Sequence, residues 1–549
     1  MMEMSLQLAG GLGLFLLGMA LLTEGLRVMA GESLRRALVR FTGTPFKAFG
    51  SGALVTLLVQ SSSATTVTVI GFVSAGLLTF PQALGVVFGA SLGTTGTGWM
   101  VALLGLKVKL GLFALPLVAL GSLLKLLGHG RRAALGTAVA GFALIFLGID
   151  FLQDSMQGLG ASIKAADLPS TGLQGHLLAV AIGMGLTVVM QSSSAAMAAN
   201  LTALHTGTVN FEQAAALAIG AAMGSTVTGV LAALGGSVPA KRTALAHVLF
   251  HAGTGGLALA LLPWYLRGIG HAQSEWGLEP GAVSLAAFHT SFVAAGVLLF
   301  LPWVRGFARL IECLLRDRGP RLTRHLDPTL LHTPPVALEA LRRALAETAC
   351  NLFQTLRHCL EAQQAPETIR QEIAGALAEA QQFLARIPML PGDAAVSQAR
   401  LAEMHAIDHL TRLQVRLDLP LTVLERLGEQ TLRTARQLAD EILGLATSGL
   451  VGGGPTAWLT DLEAKAVALA ELRRHERASI LQATAEGVGT PAHSLECLDA
   501  LHWLDHAGYH AWRIGVYLSG NGASREPAAT RAGSPVKLAS SQRPSMSTS

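Results

Sequence analysis

The first part of this sequence contains very few charged residues. Residues 1–305 carry only 15 Lys or Arg and 9 Asp or Glu, whereas the remaining residues of the 549-residue chain carry 25 and 26. This scarcity excludes an ordinary soluble surface for the first part, whose apolar runs are long enough to cross a lipid bilayer. The sequence therefore predicts an all-α protein in which a polytopic membrane domain precedes a soluble helical domain.

Cysteines and enzyme motifs are also scarce. The sequence has only four cysteines, all after residue 305 and none in a CxxC pair, so we expect them to be reduced and structural. It has no P-loop, no nucleophile elbow and no HExxH motif, so we expect no enzyme activity. The net charge of +5 is not gathered into a basic run with interleaved aromatic residues, so we expect no nucleic-acid partner.

The most informative feature that is present is an internal repeat. Residues 60–64 and 191–195 are both Gln-Ser-Ser-Ser-Ala. A shift of 131 residues aligns 60–98 with 191–229 without a gap, and 15 of the 39 positions are identical. The sequence therefore predicts two structural repeats, at about residues 10–127 and 141–262.

Hydropathy and charge predict the membrane topology. The shorter apolar runs on both sides of each QSSS motif predict a re-entrant hairpin with the motif at its tip. Positive residues follow alternate spans, at 27–47, 131–132, 241–242 and 305–324, which predicts cytoplasmic loops there and two inverted repeats. Full membrane spans are expected near residues 9–29, 83–104, 110–128, 135–152, 213–234, 243–266 and 285–304.

These patterns predict four segments. A transmembrane domain covers 1–310, including an extra span at 285–304, and a linker covers 311–334. A cytoplasmic helical bundle covers 335–519, and the Ser/Pro/Arg-rich tail at 520–549 is expected to be disordered. The bundle helices are expected near residues 336–362, 366–387, 394–418, 420–447, 456–485 and 491–519.

The duplicated polar residues are the candidate binding site. Hydroxyls and amides inside a bilayer are unfavourable unless they bind something or line a wet cavity. Hydroxyl donors and helix N-termini suit a tetrahedral oxyanion, and neutral oxygens suit an alkali cation. The alternative is that these residues only join packed helices. The candidate substrate- and ion-binding residues are Gln60, Ser61, Ser62, Ser63, Gln191, Ser192, Ser193, Ser194, Thr94, Thr95, Thr97, Ser225, Thr226 and Thr228.

Other ionisable residues occur in the apolar segments. Glu24, Asp150 and Asp154 lie near span ends, where interfacial placement is expected rather than a buried functional role. Three histidines on later spans favour interhelical hydrogen bonds over a proton relay. They are His247, His251 and His289.

The soluble half contains two related His/Asp motifs at a spacing of 97 residues. Helical i, i+3 and i+4 spacing brings such side chains together, so a metal site is one hypothesis. The alternative is that they pair with each other or with neighbouring arginines. The residues are His405, Asp408, His409, His502, Asp505 and His506.

The doubled QSSS motif, each copy followed by a Gly/Thr-rich break at 93–98 and 224–229, resembles the type II sodium/phosphate cotransporter family. Residues 246–250 and 288–292 are similar to later helices of that family, and the C-terminal half resembles a PhoU-like domain. The resemblance implies import of inorganic phosphate across the plasma (inner) membrane by alternating access. Phosphate would bind between the hairpin tips, with sodium nearby as the coupling ion.

The sequence departs from that family at several positions. The family often has Asn where this chain has Ser91, Ala222, His251 and Val293, which leaves the number and identity of the coupling cations open. Two other functions also stay open: a phosphate exporter, and a membrane-anchored regulator that acts through the PhoU-like domain. The bundle could bind a cytoplasmic regulatory partner or form a homodimer.

Overall fold

The regular secondary structure of the protein is helical. The computed structural model describes residues 2–40, 42–107, 113–160, 172–276, 281–317, 322–361, 364–389, 393–452, 457–488 and 490–519. Within these ranges there is no β-strand, which confirms the all-α prediction. The predicted disordered tail at 520–549 lies outside the described residues.

Contacts between described residues divide the chain into two compact units. The membrane unit comprises Met1–Pro320 and Asp327–His332, and the C-terminal unit comprises Arg321–Leu326 and Thr333–Ser549. In the membrane unit, a π-helical turn at Val101–Lys107 and a 3-10 turn at Pro328–His332 accompany the α-helices. These are α1 Met2–Arg40, α2 Pro45–Val59, α3 Ser62–Ser74, α4 Phe80–Gly93, α5 Thr95–Met100, α6 Ala114–Leu127, α7 Arg131–Gly160, α8 Gly172–Met190, α9 Ser193–His205, α10 Phe211–Gly224, α11 Thr226–Ala233, α12 Val238–Trp276, α13 Ala282–Phe300 and α14 Val304–Leu314.

Seven helical segments in the described ranges are long and apolar enough to cross a membrane. The seven segments are Leu6–Met29, Phe80–Leu106, Arg131–Gln157, Gly172–Met190, Phe211–Ala233, Val238–Glu275 and Ala282–Phe300. They agree with the predicted multi-pass membrane protein in all but two respects: the predicted span at 110–128 is not among them, and Gly172–Met190 was not predicted as a span.

The first difference concerns α6, which was expected to be a full span at 110–128. It has only 14 residues, or about 21 Å of helix, whereas the hydrocarbon core of a bilayer is about 30 Å thick. Pro116 lies in the first turn of α6, where the missing N–H of proline breaks no hydrogen bond within the helix. The second difference concerns α8, which was expected to be a short hairpin arm but has 19 residues.

Helix boundaries in the two repeats follow the same offset as the sequence. The helices α3 and α9 both have 13 residues, and α4 and α10 both have 14. A Cβ atom on Gly89 of α4 would lie 2.1 Å from the carbonyl oxygen of Phe49, and one on Gly220 of α10 would lie 2.0 Å from that of Val180. Equivalent glycines therefore allow equivalent close helix packing. The inverted orientation of the repeats stays a prediction.

The C-terminal unit differs from its predicted helices at one place. A single helix was expected at 420–447, but the chain turns at Leu427 and Gly428 and continues through a 3-10 turn at Gln430–Leu432. Leu427 and Leu432 are fully buried, so packing of these side chains outweighs continuation of the helix. The α-helices of this unit are α15 Pro334–Leu360, α16 Glu367–Arg386, α17 Ala394–Gln414, α18 Leu421–Arg426, α19 Arg433–Gly452, α20 Ala457–Ala485 and α21 Pro491–Leu518.

Candidate functional site

Each QSSS motif begins at a break between two helices. Gln60 and Gln191 have φ values of 57° and 51°, and in the described part of the chain no other non-glycine residue has a positive φ. This backbone conformation is uncommon for residues with a side chain and is strained. Both glutamine amides donate to the carbonyl oxygen three residues earlier, at 2.5 Å to Leu57 and 2.8 Å to Val188. The two motifs therefore end the preceding helix in the same way.

The next residue of each motif caps the following helix. Ser61 Oγ and Ser192 Oγ accept hydrogen bonds from the backbone N–H three residues later, at 3.3 Å and 3.2 Å. Ser and Thr are preferred at this position because their oxygen satisfies a free helix N–H. Ser62 and Ser193 are therefore the first helical residues of α3 and α9, where free N–H groups and the helix dipole favour an anion.

The first helical serines of both repeats line a single cavity. A water-sized sphere can occupy only about 10 Å³ of this cavity, which is about enough for one water molecule. Its lining residues include no Lys, Arg, Asp or Glu. The cavity therefore combines two helix N-termini with uncharged polar groups, an arrangement that suits a small anion. Its polar lining residues are Ser62, Ser91, Thr94, Ser193, Ser225, His247, His251 and His289.

Each QSSS motif also contacts the broken helix of the other repeat. Ser63 Oγ lies 3.3 Å from Thr228 Oγ1, and Thr97 Oγ1 lies 3.3 Å from Ser194 Oγ. These two contacts are related by the 131-residue offset of the repeat. We call them the tip contacts; they join the two repeats beside the cavity.

The hydrogen bonds around the two tip contacts are not identical. Thr97 Oγ1 donates to Gln60 Oε1 at 2.8 Å, whereas Thr228 Oγ1 donates to the carbonyl oxygen of Ser225 at 2.7 Å. Because the single proton of Thr97 is used, Ser194 is the donor to Thr97. A chain of neutral oxygens therefore lies beside the first QSSS motif, formed by Gln60, Thr97 and Ser194.

Other predicted site residues bond to their own helices. Thr95 and Thr226 donate to the carbonyl oxygens three residues earlier, at 2.7 Å and 2.8 Å. Ser225 donates to the carbonyl of Ala222 at 2.6 Å and also lines the cavity, whereas the buried Thr94 Oγ1 has no hydrogen-bond partner among the described residues. Four predicted residues line the cavity, namely Ser62, Thr94, Ser193 and Ser225. The predicted residues that do not line it are Gln60, Ser61, Ser63, Thr95, Thr97, Gln191, Ser192, Ser194, Thr226 and Thr228.

The predicted site omitted the three histidines that line the cavity. His251 Nε2 lies 3.1 Å from Ser91 Oγ, an interhelical hydrogen bond between α12 and α4. Ser91 donates its only proton to the carbonyl of Val87 at 3.0 Å, so His251 Nε2 is assigned as the donor. A neutral His251 therefore leaves Nδ1 as an acceptor.

The other two histidines leave a ring nitrogen without a partner. His247 and His289 are buried, and their Nδ1 atoms make no hydrogen bond to the described part of the chain. Buried polar atoms are normally paired, so unpaired atoms beside a cavity indicate a place for a ligand. The sequence feature that could have identified two of these histidines is the i, i+4 spacing of His247 and His251 on an apolar helix.

Three acidic residues of the membrane unit lie outside the cavity lining. Glu24 and Asp154 are exposed on the helix surface, and neither these two nor Asp150 lines the cavity. They therefore do not contribute a carboxylate to the cavity lining.

The predicted His/Asp motifs of the C-terminal unit bond to other side chains. His409 Nδ1 lies 2.8 Å from His510 Nδ1, and burial lowers the pKa of His409 to about 4. Asp408 accepts from Arg412, and Asp505 pairs with Arg473 at 3.0 Å. Within the described ranges, none of the six candidates belongs to a group of three metal-ligating atoms. Metal binding by these motifs stays a prediction.

Membrane-length helices around a small, uncharged polar cavity are typical of a multi-pass membrane transporter. A family model described as Na+/Pi-cotransporter matches residues 14–154 and 160–279. The "Uncharacterized protein YqeW" of Bacillus subtilis is 34% identical over 302 residues, which cover 55% of this chain and 95% of that protein. The chain belongs to the Na+/Pi-cotransporter family, a membership that supports phosphate transport.

Two further relatives have functional names. The "Putative inorganic phosphate export protein YjbB" of Escherichia coli is 30% identical over 343 residues. That match covers 61% of this chain and 60% of YjbB, so the chain spans less than two thirds of that relative. The "Sodium-dependent phosphate transport protein 2C" of Rattus norvegicus is 36% identical over 102 residues, or 18% of this chain and 16% of that protein. No solved structure matches the chain.

Proposed function

We propose that this protein is a sodium-dependent symporter that imports inorganic phosphate across the plasma membrane by alternating access, with its PhoU-like bundle in the cytoplasm. The observation that supports this proposal most is that Ser62 and Ser193, the first residues of two equivalent helices, line one cavity. Two helix N-termini directed at one space provide N–H and hydroxyl donors from two sides. A tetrahedral oxyanion can accept all of these hydrogen bonds.

Binding of phosphate requires the cavity to open. Its present size of about 10 Å³ holds about one water molecule, which is too little for an anion with four oxygens. The tip contacts Ser63–Thr228 and Thr97–Ser194 join the repeats beside this space. Separation of these contacts would widen the cavity, and their formation again would enclose the anion. Alternating access then corresponds to movement of one repeat against the other.

Sodium binds beside the anion in this mechanism. The cavity lining has no cationic side chain to balance a phosphate. The neutral oxygens of Gln60, Thr97 and Ser194 form a connected group at the first tip, and neutral oxygens are suitable ligands for an alkali cation at membrane depth. One sodium ion moving down a potential of 100 mV supplies about 2.3 kcal/mol. Sodium would thus balance the anion charge and drive its uptake.

The buried histidines provide selectivity for a protonated anion. Neutral imidazole has one N–H donor and one acceptor nitrogen. The hydroxyl of hydrogen phosphate needs an acceptor, and the assigned tautomer of His251 leaves Nδ1 free to accept. Sulfate carries no such proton and would leave acceptor nitrogens unpaired. We therefore expect the site to prefer phosphate over sulfate.

Transport by the purified full-length protein tests this function. In proteoliposomes, an inward sodium gradient should drive labelled phosphate to a higher concentration inside than outside, and an equal potassium gradient should not. Equal uptake with both gradients would contradict sodium coupling. Absence of phosphate flux in either condition, from correctly folded protein, would contradict the transport proposal itself.

Export is the second candidate function, because the relative YjbB is named for phosphate export. Cells that lack their other phosphate transporters and express this protein distinguish the two directions. Net accumulation of phosphate that depends on external sodium supports import. Net loss of phosphate from loaded cells, unaffected by external sodium, supports export. A protein that acts only as a phosphate-responsive regulator would produce neither flux.

A further inference from the structure

Three potential metal ligands converge in the C-terminal unit, away from the predicted His/Asp motifs. Cys497 Sγ lies 3.4 Å from Glu429 Oε2 and 3.6 Å from His493 Nε2, and the latter two atoms are 3.5 Å apart. Among the residues that the structure describes, this is the only group of three His, Cys, Asp or Glu donors within 4.8 Å of one another. We call it the Glu–His–Cys triangle.

Helical structure positions all three side chains. His493 and Cys497 are four residues apart near the start of α21, so they lie on the same face of that helix. Thr490 caps this helix by accepting the backbone N–H of His493 at 3.3 Å. Glu429 lies directly before the 3-10 turn at Gln430–Leu432. The break in the predicted 420–447 helix therefore brings the glutamate to α21.

The dimensions of the triangle match one face of a tetrahedral zinc site. Zinc bonds of about 2.3 Å to sulfur, 2.0–2.1 Å to nitrogen and 2.0–2.2 Å to oxygen place ligand atoms about 3.3–3.6 Å apart at tetrahedral angles. The three measured distances are 3.4, 3.5 and 3.6 Å. An ion could therefore sit just above the triangle with little movement of its ligands, and a water molecule would complete the tetrahedron.

Neighbouring groups support this use of the triangle. Glu429 Oε1 accepts from Arg426 Nη1 at 2.8 Å, while Arg426 Nε donates to Glu496 at 2.9 Å. These bonds orient the carboxylate so that Oε2 faces the other two donors, as outer partners of metal ligands commonly do. Cys497 is buried, whereas the His493 and Glu429 side chains are 42% and 24% exposed. An ion can therefore enter from the exposed side.

We propose that Glu429, His493 and Cys497 bind a zinc-class divalent ion, with water as the fourth ligand. The thiolate and imidazole donors favour zinc over magnesium or calcium, which prefer oxygen-only sites. On binding, the sulfur–hydrogen bond of Cys497 breaks, a sulfur–metal bond forms, and the proton leaves to solvent. The ion would connect the segment around Glu429 to α21 and stabilise the C-terminal unit.

Cobalt titration of the full-length purified protein tests the site. After treatment with a chelator, Co²⁺ should produce a thiolate-to-cobalt charge-transfer band that saturates at one equivalent and disappears when Zn²⁺ is added. Cys497→Ser should remove this band, and His493→Gln should weaken binding by about 10-fold or more. Cys350→Ser is the matched control, because Cys350 is not part of the triangle and its thiol lies 3.9 Å from the carbonyl oxygen of Thr447; this variant should retain the band.

Stability provides a second measurement. Zn²⁺ should raise the unfolding temperature of the wild-type protein and of Cys350→Ser, but not of Glu429→Gln, which keeps the size of the side chain and loses its charge. Absence of the charge-transfer band in wild type would overturn the proposal. Cobalt binding without thiolate character, or an undiminished band in Cys497→Ser, would also overturn it by placing the ion at other ligands.

Discussion

Ser63 and Thr228 come from opposite repeats, and their hydroxyl oxygens lie 3.3 Å apart. Thr97 and Ser194 form the equivalent contact at the same distance. Each QSSS motif is thus joined to the broken helix that follows the other motif. Beside these contacts, Ser62 and Ser193 of the two motifs line a common cavity.

The tip contacts predict non-additive effects on transport. Ser63→Ala and Thr228→Val should each change the rate of phosphate uptake, and the double variant should be no worse than the more severe single variant. The reason is that either change already removes the shared contact. Thr68→Val is the control, because Thr68 donates to its own helix at Ala64. Additive effects in initial-rate measurements would contradict a shared contact in the transport cycle.

The serines that line the cavity predict a loss of phosphate affinity. Ser62→Ala and Ser193→Ala should each remove a donor to a charged ligand, a loss of about 1.5–3 kcal/mol, or about 10- to 150-fold in affinity. Uptake at limiting phosphate measures this effect. Ser155→Ala should leave it unchanged, since Ser155 is buried but donates to Phe151 on its own helix. Normal affinity in both cavity variants would exclude the tips as the anion site.

Because the hydrogen bonds around the two tip contacts differ, the two QSSS glutamines should contribute unequally to the sodium dependence of phosphate uptake. Gln60→Leu should raise the sodium concentration needed for half-maximal uptake, because Gln60 Oε1 belongs to the oxygen group with Thr97. Gln191→Leu should have a smaller effect, since Thr228 donates to Ser225 instead. Sodium activation curves at saturating phosphate compare the two variants. An unchanged curve with lower phosphate affinity for Gln60→Leu would reassign this glutamine to the anion.

The cavity histidines predict anion selectivity. His289→Phe keeps an aromatic ring of similar size but removes both nitrogens, so phosphate affinity should fall while competition by sulfate increases. Inhibition of labelled phosphate uptake by excess sulfate measures the change. His205→Gln serves as the control because His205 is exposed at the end of α9. If His289→Phe binds phosphate more weakly but sulfate competes no better, the imidazole does not discriminate between the anions.

A buried glutamate predicts a pH dependence of stability. Burial raises the pKa of Glu403 to about 8; the nearby Arg342 opposes this shift and Glu339 adds to it. Between the ordinary pKa of 4.5 and about 8, the folded chain binds a proton that the unfolded chain has lost. Stability should therefore be greatest below about pH 4.5 as far as this group is concerned, and fall as pH rises towards 8.

Variants of Glu403 test that dependence. Thermal unfolding of the full-length protein at several pH values should show a flatter profile for Glu403→Gln than for wild type. Glu379→Gln, which changes an exposed glutamate on α16, should retain the wild-type profile. An identical slope in Glu403→Gln and wild type would show that this carboxyl does not control the dependence.

Features with a local cause were predictable from the sequence. Membrane-length apolar runs predicted most of the spans, and the doubled QSSS motif predicted the helix breaks that the structure has at Gln60 and Gln191. Errors arose where packing changed the length or course of a helix. The helix α6 is shorter than the predicted span at 110–128, and the expected 420–447 helix is interrupted where Leu427 and Leu432 are fully buried.

By itself, the sequence determined that the protein is helical, crosses a membrane and contains two copies of one polar motif, because composition and repeats are properties of the chain. Only the tertiary structure decided that Ser63 contacts Thr228 and that the hydrogen bonds around the two tip contacts differ. It also decided that three histidines line the cavity, namely His247, His251 and His289. The contact between Thr97 and Gln60 joins residues 37 positions apart, and that between Ser63 and Thr228 joins residues 165 positions apart. No local periodicity specifies such pairs, because they depend on how whole helices pack.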